Sequence, residues 1–219
     1  MNTIVTIGRQ YGSAGHEIGR KLAKDLNIPF YDKELLERAA KESGLCREIF
    51  ENHDEKHTNS FLFSLVMDTY SYGYPSGTMA EMPLNQRVFL AQFDAIRQIA
   101  KEGPCVIIGR CADYALENMS NCFSVFIRAD LQLRIRRIAR LYDLTDAKAK
   151  EQIQKTDKSR SSYYNYYTSK KWGDLNSYHL SADSGVLGID GTVDLLKYAV
   201  GRKEKGNLLK IFECEPENE

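Results

Sequence analysis

Residues 4–23, IVTIGRQYGSAGHEIGRKLA, constrain the fold more than any other stretch of this chain. A β-branched run, Ile4 to Ile7, passes through glycines at Gly8, Gly12 and Gly15 into an amphipathic helix carrying Ile18, Leu22 and Leu26 on one face. A buried strand, a glycine loop and a helix together make a phosphate pocket. Glycines let the backbone approach an anion, and the free N–H groups of the first helical turn point at it. On this reading Gly8, Gly12, Ser13, Ala14, Gly15, His16 and Glu17 surround the phosphates. The loop departs from the full signature G-x-x-x-x-G-K-[ST]. His16 stands where the lysine belongs, and Glu17 where Ser or Thr would hold magnesium. The plainer alternative is a turn that only joins strand to helix.

Apolar runs alternate with helical periodicity along the rest of the chain, which predicts a parallel sheet with helices on both faces. Strands are expected at about 3–7, 28–31, 104–108, 122–127 and 178–181, and helices at about 14–26, 32–43, 85–101, 130–142, 146–168 and 191–202. The alternation breaks at about 44–84, where a charged stretch gives way to FLFSLVMDTYSYGYPSG. Its aromatic residues argue for a packed insertion over the C-terminal edge of the sheet, where ligands bind in such folds. The chain then reads as one domain over 1–202, with a frayed tail at 203–219.

Charge and cysteine usage narrow the function. The 219 residues hold 30 basic and 30 acidic side chains, so no global field favours nucleic acid or an anionic membrane, and a phosphate site must come from local clusters. The five cysteines lack C-x-x-C spacing and read as reduced thiols, not as a disulfide frame or a zinc site. The four histidines show no metal spacing either. No apolar run approaches the roughly 20 residues of a membrane helix. A cytoplasmic protein that binds small-molecule nucleotides, without nucleic acid or membrane partners, is the expectation.

Two further segments carry candidate chemistry. Val106-Ile107-Ile108-Gly109-Arg110 delivers an arginine at the tip of an apolar run, on the same sheet edge as the glycine loop. Arg110 can bind phosphate there through its planar fork, or close a strand-end salt bridge. Asp113, three residues on, could meet a base, a ribose or a metal. Between about 134 and 171, Arg134, Arg136, Arg137 and Arg140 precede a polar turn, and Lys155, Lys158 and Arg160 follow it. Cations on either side of a helical turn suit a lid that closes on a transferring phosphoryl group. The tyrosines at 163, 164, 166 and 167 leave single-stranded nucleic-acid binding as the rival reading of this segment.

With these pieces in place, the chain resembles the cytidylate kinase-like family, a divergent branch of the P-loop nucleoside monophosphate kinases. RQYGSAGHEIGRKLA resembles its glycine loop, IPFYDKELLERAA its second strand and helix, and VIIGRCADYAL its third strand segment. FIRADLQLRIRRI and DKSRSSYYNYYTSKKWGDLNSYHLSAD resemble its lid and last strand. The resemblance implies an α/β P-loop NTPase-like fold of about five parallel strands, with a monophosphate-binding insertion and a helical lid. It places Arg110, Asp113, Asp157 and Arg160 around the acceptor nucleotide, and makes Arg134 and Arg137 lid arginines. Ile108 departs from the family pattern, which carries Asp before G-R.

The activity implied is ATP- and Mg2+-dependent phosphoryl transfer to a nucleoside monophosphate, CMP or dCMP first among them. Asp113 is the side chain that could hold the metal. With the lysine missing, the developing charge falls to Arg9, His16, Arg134 and Arg137. Two rivals stand beside this: a non-catalytic nucleotide-binding protein, and a kinase for another small acceptor.

Overall fold

A computed structural model describes residues 1–32, 38 and 83–206. Among the described residues the strands are β1 (Ile4–Arg9), β2 (Phe30–Tyr31), β3 (Val106–Ile108), β4 (Cys122–Arg128) and β5 (Leu180–Asp183). The helices among the described residues are α1 (Gly15–Leu26), α2 (Leu84–Glu102), α3 (Ala112–Ala115), α4 (Leu131–Tyr142), α5 (Asp146–Thr168) and α6 (Ser184–Glu204). All strand pairs are parallel, in the order β2-β3-β1-β4-β5.

Both faces of the sheet are covered, which is why its strands read as nearly continuous apolar runs. The period-2 alternation sorts their side chains between two layers. Val5, Ile7, Val106, Ile108, Val125 and Ile127 pack with Ile18 and Leu22 of α1 and Leu196 of α6. Ile4, Ile107 and Phe126 pack on the other face with α2, α3 and the tyrosines of α5. A third cluster, Ile135, Ile138, Ala149 and Ile153, joins α4 to α5 and takes in Tyr11 of the glycine loop.

The register pairs Ile7 with Ile108 and Arg9 with Ile127. The ends of β1, β3 and β4 therefore share one edge, and Arg9, Asp32 and Arg110 meet there.

Departures from the sequence reading are local. The last helix begins at Ser184, seven residues early, and Gly188 interrupts it with φ 68° and ψ 177°. Lys203 and Glu204, expected to fray, belong to that helix, and the Glu204 carboxylate accepts the Asn2 and Thr3 N–H groups at 2.8 and 2.6 Å. The short helix α3 and a 3-10 turn at Leu175–Ser177 went unpredicted, since neither is long enough to show a period. The expected insertion over 44–84 lies almost wholly outside the described residues, as does the tail beyond 206. Cys105, Cys111 and Cys122 are buried free thiols, and burial pushes Cys105 up to about 12. Among the described residues no helix is long and apolar enough to cross a membrane.

Candidate active site

The glycine loop keeps the start of α1 open. Asp130, Thr145 and Asp183 cap α4, α5 and α6 with their side chains, whereas Ala14 precedes α1 in a left-handed conformation (φ 61°) and offers no capping group. Uncapped first-turn N–H groups, at the positive end of the helix dipole, suit an anion. A cleft of about 420 Å³ lies at this point, and Gly12, Ala14 and Gly15 line it. Four arginines also line it, Arg9, Arg20, Arg137 and Arg160, together with His16 and the carboxylates Glu17 and Asp32. The chain is neutral overall, yet this cleft is basic.

What holds the loop is a buried ion pair from the helical hairpin. Arg134, almost fully buried, meets Asp157 at 2.6 Å, and its fork also donates to the carbonyls of Ala129 (3.1 Å) and Tyr11 (3.2 Å). The other Asp157 oxygen accepts the Tyr11 N–H at 2.7 Å. Gly12 sits against this hairpin with φ 83°, and a Cβ there would lie 3.1 Å from the Arg134 Cβ. Glycine is required on both counts. The Ser13 hydroxyl turns inward to the carbonyls of Gln10 (2.8 Å) and Ile127 (3.1 Å). Ser13, Arg134 and Asp157, expected around the nucleotides, thus line neither cavity described in this section; they shape the loop from behind.

Opposite the loop, Gly109, Arg110 and Cys111 run consecutively in the left-handed region, with φ 69°, 53° and 54°. Two non-glycine residues there cost on the order of 1–3 kcal/mol each, and such strain gathers at functional sites. The turn brings Arg110 back over the strand ends. Its side chain is 4% exposed and donates to the Ile108 carbonyl at 3.1 Å and to Asp32 at 2.8 Å. The strand-end salt bridge that sequence left as an alternative therefore forms. Asp32 also meets His16 Nε2 at 3.1 Å. Burial pushes the Asp32 carboxyl up, but the His16 hydrogen bond and the Arg110 guanidinium outweigh it and hold the group well below the usual carboxylate range.

A second, smaller cavity of about 20 Å³, the size of one water, lies behind Arg110. Gly8, Asp113 and the rings of Tyr163, Tyr164, Trp172 and Tyr178 wall it. The Tyr164 hydroxyl donates to Asp113 at 2.7 Å. Burial nevertheless raises the Asp113 carboxyl to about 6, and it pushes the Tyr164 and Tyr178 phenols far above their ordinary range. Arg9 and Arg160 line both cavities, so the boundary between them is cationic. Arg160 Nη1 donates to the Arg9 carbonyl at 3.3 Å and its guanidinium stands 5.7 Å from the Tyr11 ring centroid.

The structure thus gathers Arg9, Gly12, Ala14, Gly15, His16, Glu17, Arg137 and Arg160 at the open cleft, and Gly8, Arg110, Asp113 and Arg160 at the smaller one. Arg137 is held by Glu17 at 2.6 Å. Sequence reasoning passed over Arg20 and Asp32. Arg20 lies one helical turn beyond His16, and Asp32 follows the short strand β2 as Arg110 follows β3; the helical period and the strand-tip argument would have found both. The tyrosines at 163, 164 and 167 are core residues, with Tyr167 stacked on Phe89 at 4.0 Å between centroids.

Comparison with known proteins gives the family and the fold. Residues 4–186 match the model of the cytidylate kinase-like family, and the chain belongs to that family. A solved structure of an uncharacterized protein from Eubacterium ventriosum is similar, with 28% identity and a TM-score of 0.68 over 91% of this chain and 98% of that one. Shikimate kinase from Bacteroides thetaiotaomicron shares the fold at 13% identity, with a TM-score of 0.52 over 92% and 99% of the two chains. Among curated proteins there is no match. Family and fold are kinase-like.

Proposed function

We propose that this member of the cytidylate kinase-like family transfers the γ-phosphoryl group of ATP to a nucleoside monophosphate, with CMP or dCMP the favoured acceptor. One observation carries the reading. A basic cleft at an uncapped helix start meets an aromatic-walled cavity, and Arg9 and Arg160 line both. The donor phosphates lie along Gly12 to Glu17, and the acceptor phosphate reaches Arg110. The phosphoryl group in transit then passes Arg9 and Arg160. An acceptor phosphate is already a nucleophile, so no deprotonating base is needed, and charge stabilisation is the main task.

Among the described residues no group of three His, Cys, Asp or Glu side chains is placed to hold a metal ion, and Glu17 is paired with Arg137. Magnesium would arrive as the ATP complex, held by the donor's own phosphate oxygens. The lid of this reading is α4 with the first half of α5, because the later part of α5 is anchored in the core through Tyr163, Tyr164 and Tyr167.

A coupled ADP-release assay over a panel of monophosphates tests the proposal, with thermal-shift binding measured in parallel. Turnover greatest on CMP or dCMP is the expected result. His16 in the lysine position favours a second reading, a nucleotide-binding protein without turnover. ATP binding with no transfer to any monophosphate would select it.

A further inference from the structure

Asp32 links a side chain of the glycine-loop helix, His16, to the arginine that follows β3, Arg110. It stands at the tip of β2, two residues after Phe30, so strand alternation puts both side chains on one side. Both meet His16: the Phe30 ring edge-on at 5.3 Å between centroids, and the Asp32 carboxylate at 3.1 Å from Nε2. The imidazole is itself about half exposed, so these two contacts set its orientation. Nδ1 has no hydrogen-bond partner among the described residues. The second Asp32 oxygen holds Arg110 at 2.8 Å, on the strained turn after β3.

We infer that Asp32 is a positioning residue that aims His16 at the donor phosphates and Arg110 at the acceptor. The inference rests on the phosphoryl-transfer reading and deepens it. With its oxygens engaged by a guanidinium and an imidazole, and with its carboxyl held in the ionised form, Asp32 is a poor proton acceptor, so it does not serve as a general base. Its work is geometric. A lysine at position 16 would need no such support, being a flexible point charge on a long stem. Histidine is short and directional; with one N–H given to Asp32, only a ring held in the right plane and protonated at Nδ1 presents an N–H to a phosphate oxygen. The same carboxylate supplies a countercharge for Arg110, whose buried side chain would otherwise lose a charge-assisted bond.

The test is a pair of double-mutant cycles read by calorimetry, with ATP and CMP titrated separately against the full chain. Asp32→Asn keeps the shape and removes the charge. It should weaken ATP and CMP by about ten- to a hundredfold each, a size typical of one hydrogen bond to a charged group. Asp32→Asn in a His16→Ala background should cost no further ATP affinity, and in an Arg110→Ala background no further CMP affinity, because each pair acts as a unit. Losses that multiply in both cycles, or an Asp32→Asn protein that binds both ligands like wild type, would overturn the role. So would a loss for one ligand alone. An Asp32→Asn variant that failed to fold would be replaced by Asp32→Glu, for which a loss of both affinities in a protein of native thermal stability is expected. Wild-type protein that bound neither ligand would remove the phosphoryl-transfer reading, and this role with it. That result is distinct from wild type binding while Asp32→Asn stays unaffected.

Discussion

Replacing Arg134 with alanine separates a phosphate clamp from a structural latch. The side chain is 8% exposed and makes three hydrogen bonds, to Asp157, to the Tyr11 carbonyl and to the Ala129 carbonyl. Truncation leaves Asp157, itself 17% exposed, with the Tyr11 N–H as its remaining donor. Removing one partner of a buried ion pair costs about 3–5 kcal/mol. Residual exposure of Asp157 lets water recover part of this, so about 3 kcal/mol is the figure to test. For a chain of this size that corresponds to a fall in Tm of about 6–12 °C. Denaturant and thermal unfolding of Arg134→Ala, Asp157→Ala and the double variant supply the numbers. The double variant should lose less than the sum of the singles by at least about 1 kcal/mol, since the second truncation removes a charge that the first left unpaired. Arg134→Ala within about 0.5 kcal/mol of wild type, an ordinary surface result, would refute the latch. If ATP affinity collapsed in that stable variant, Arg134 would be a clamp on phosphate.

Three more outcomes follow from the geometry. Arg9→Ala should lower kcat for phosphoryl transfer at least about tenfold, or roughly 1.4 kcal/mol, and His16→Ala should lower it less; an Arg9→Ala protein as fast as wild type would remove Arg9 from the chemistry. A Cβ at Gly15 would lie 2.6 Å from the Arg9 Cβ and 3.4 Å from that of Ile127, so Gly15→Val should lose stability along with nucleotide affinity; chemical denaturation showing native stability would contradict this packing. Asp113 titrates near 6 when folded, against about 3.8 for an ordinary aspartate, because burial disfavours its charge. The folded state then binds the proton more tightly, so stability falls as pH rises from about 4 to 6. Asp113→Asn should flatten that part of the stability–pH curve, and an unchanged slope would show that the carboxyl is not the source.

The sequence by itself determined the layers and the edge. Strand alternation and helical periodicity are local signals driven by burial, so the runs at Ile4, Val106 and Cys122 and the helix after Gly15 could be read directly. Glycines before a helix start pointed to an anion for the same local reason. Which side chains face that anion was a different matter. Arg134 read as a lid cation from its basic helix, and the family resemblance alone placed Asp157 near the acceptor. Only the packing of α4 on α5 turned them towards each other, 23 positions apart, and away from the cleft. Asp32 and Arg110 are 78 positions apart and meet because β2 and β3 are neighbours in the sheet. The tyrosines of α5 read as part of a basic and aromatic lid segment, whereas the fold sets Tyr163, Tyr164 and Tyr167 in the core. Period and propensity report on a residue's own segment, whereas the partner of a charge depends on which distant segment the fold sets within about 3 Å of it, and that is decided by tertiary structure.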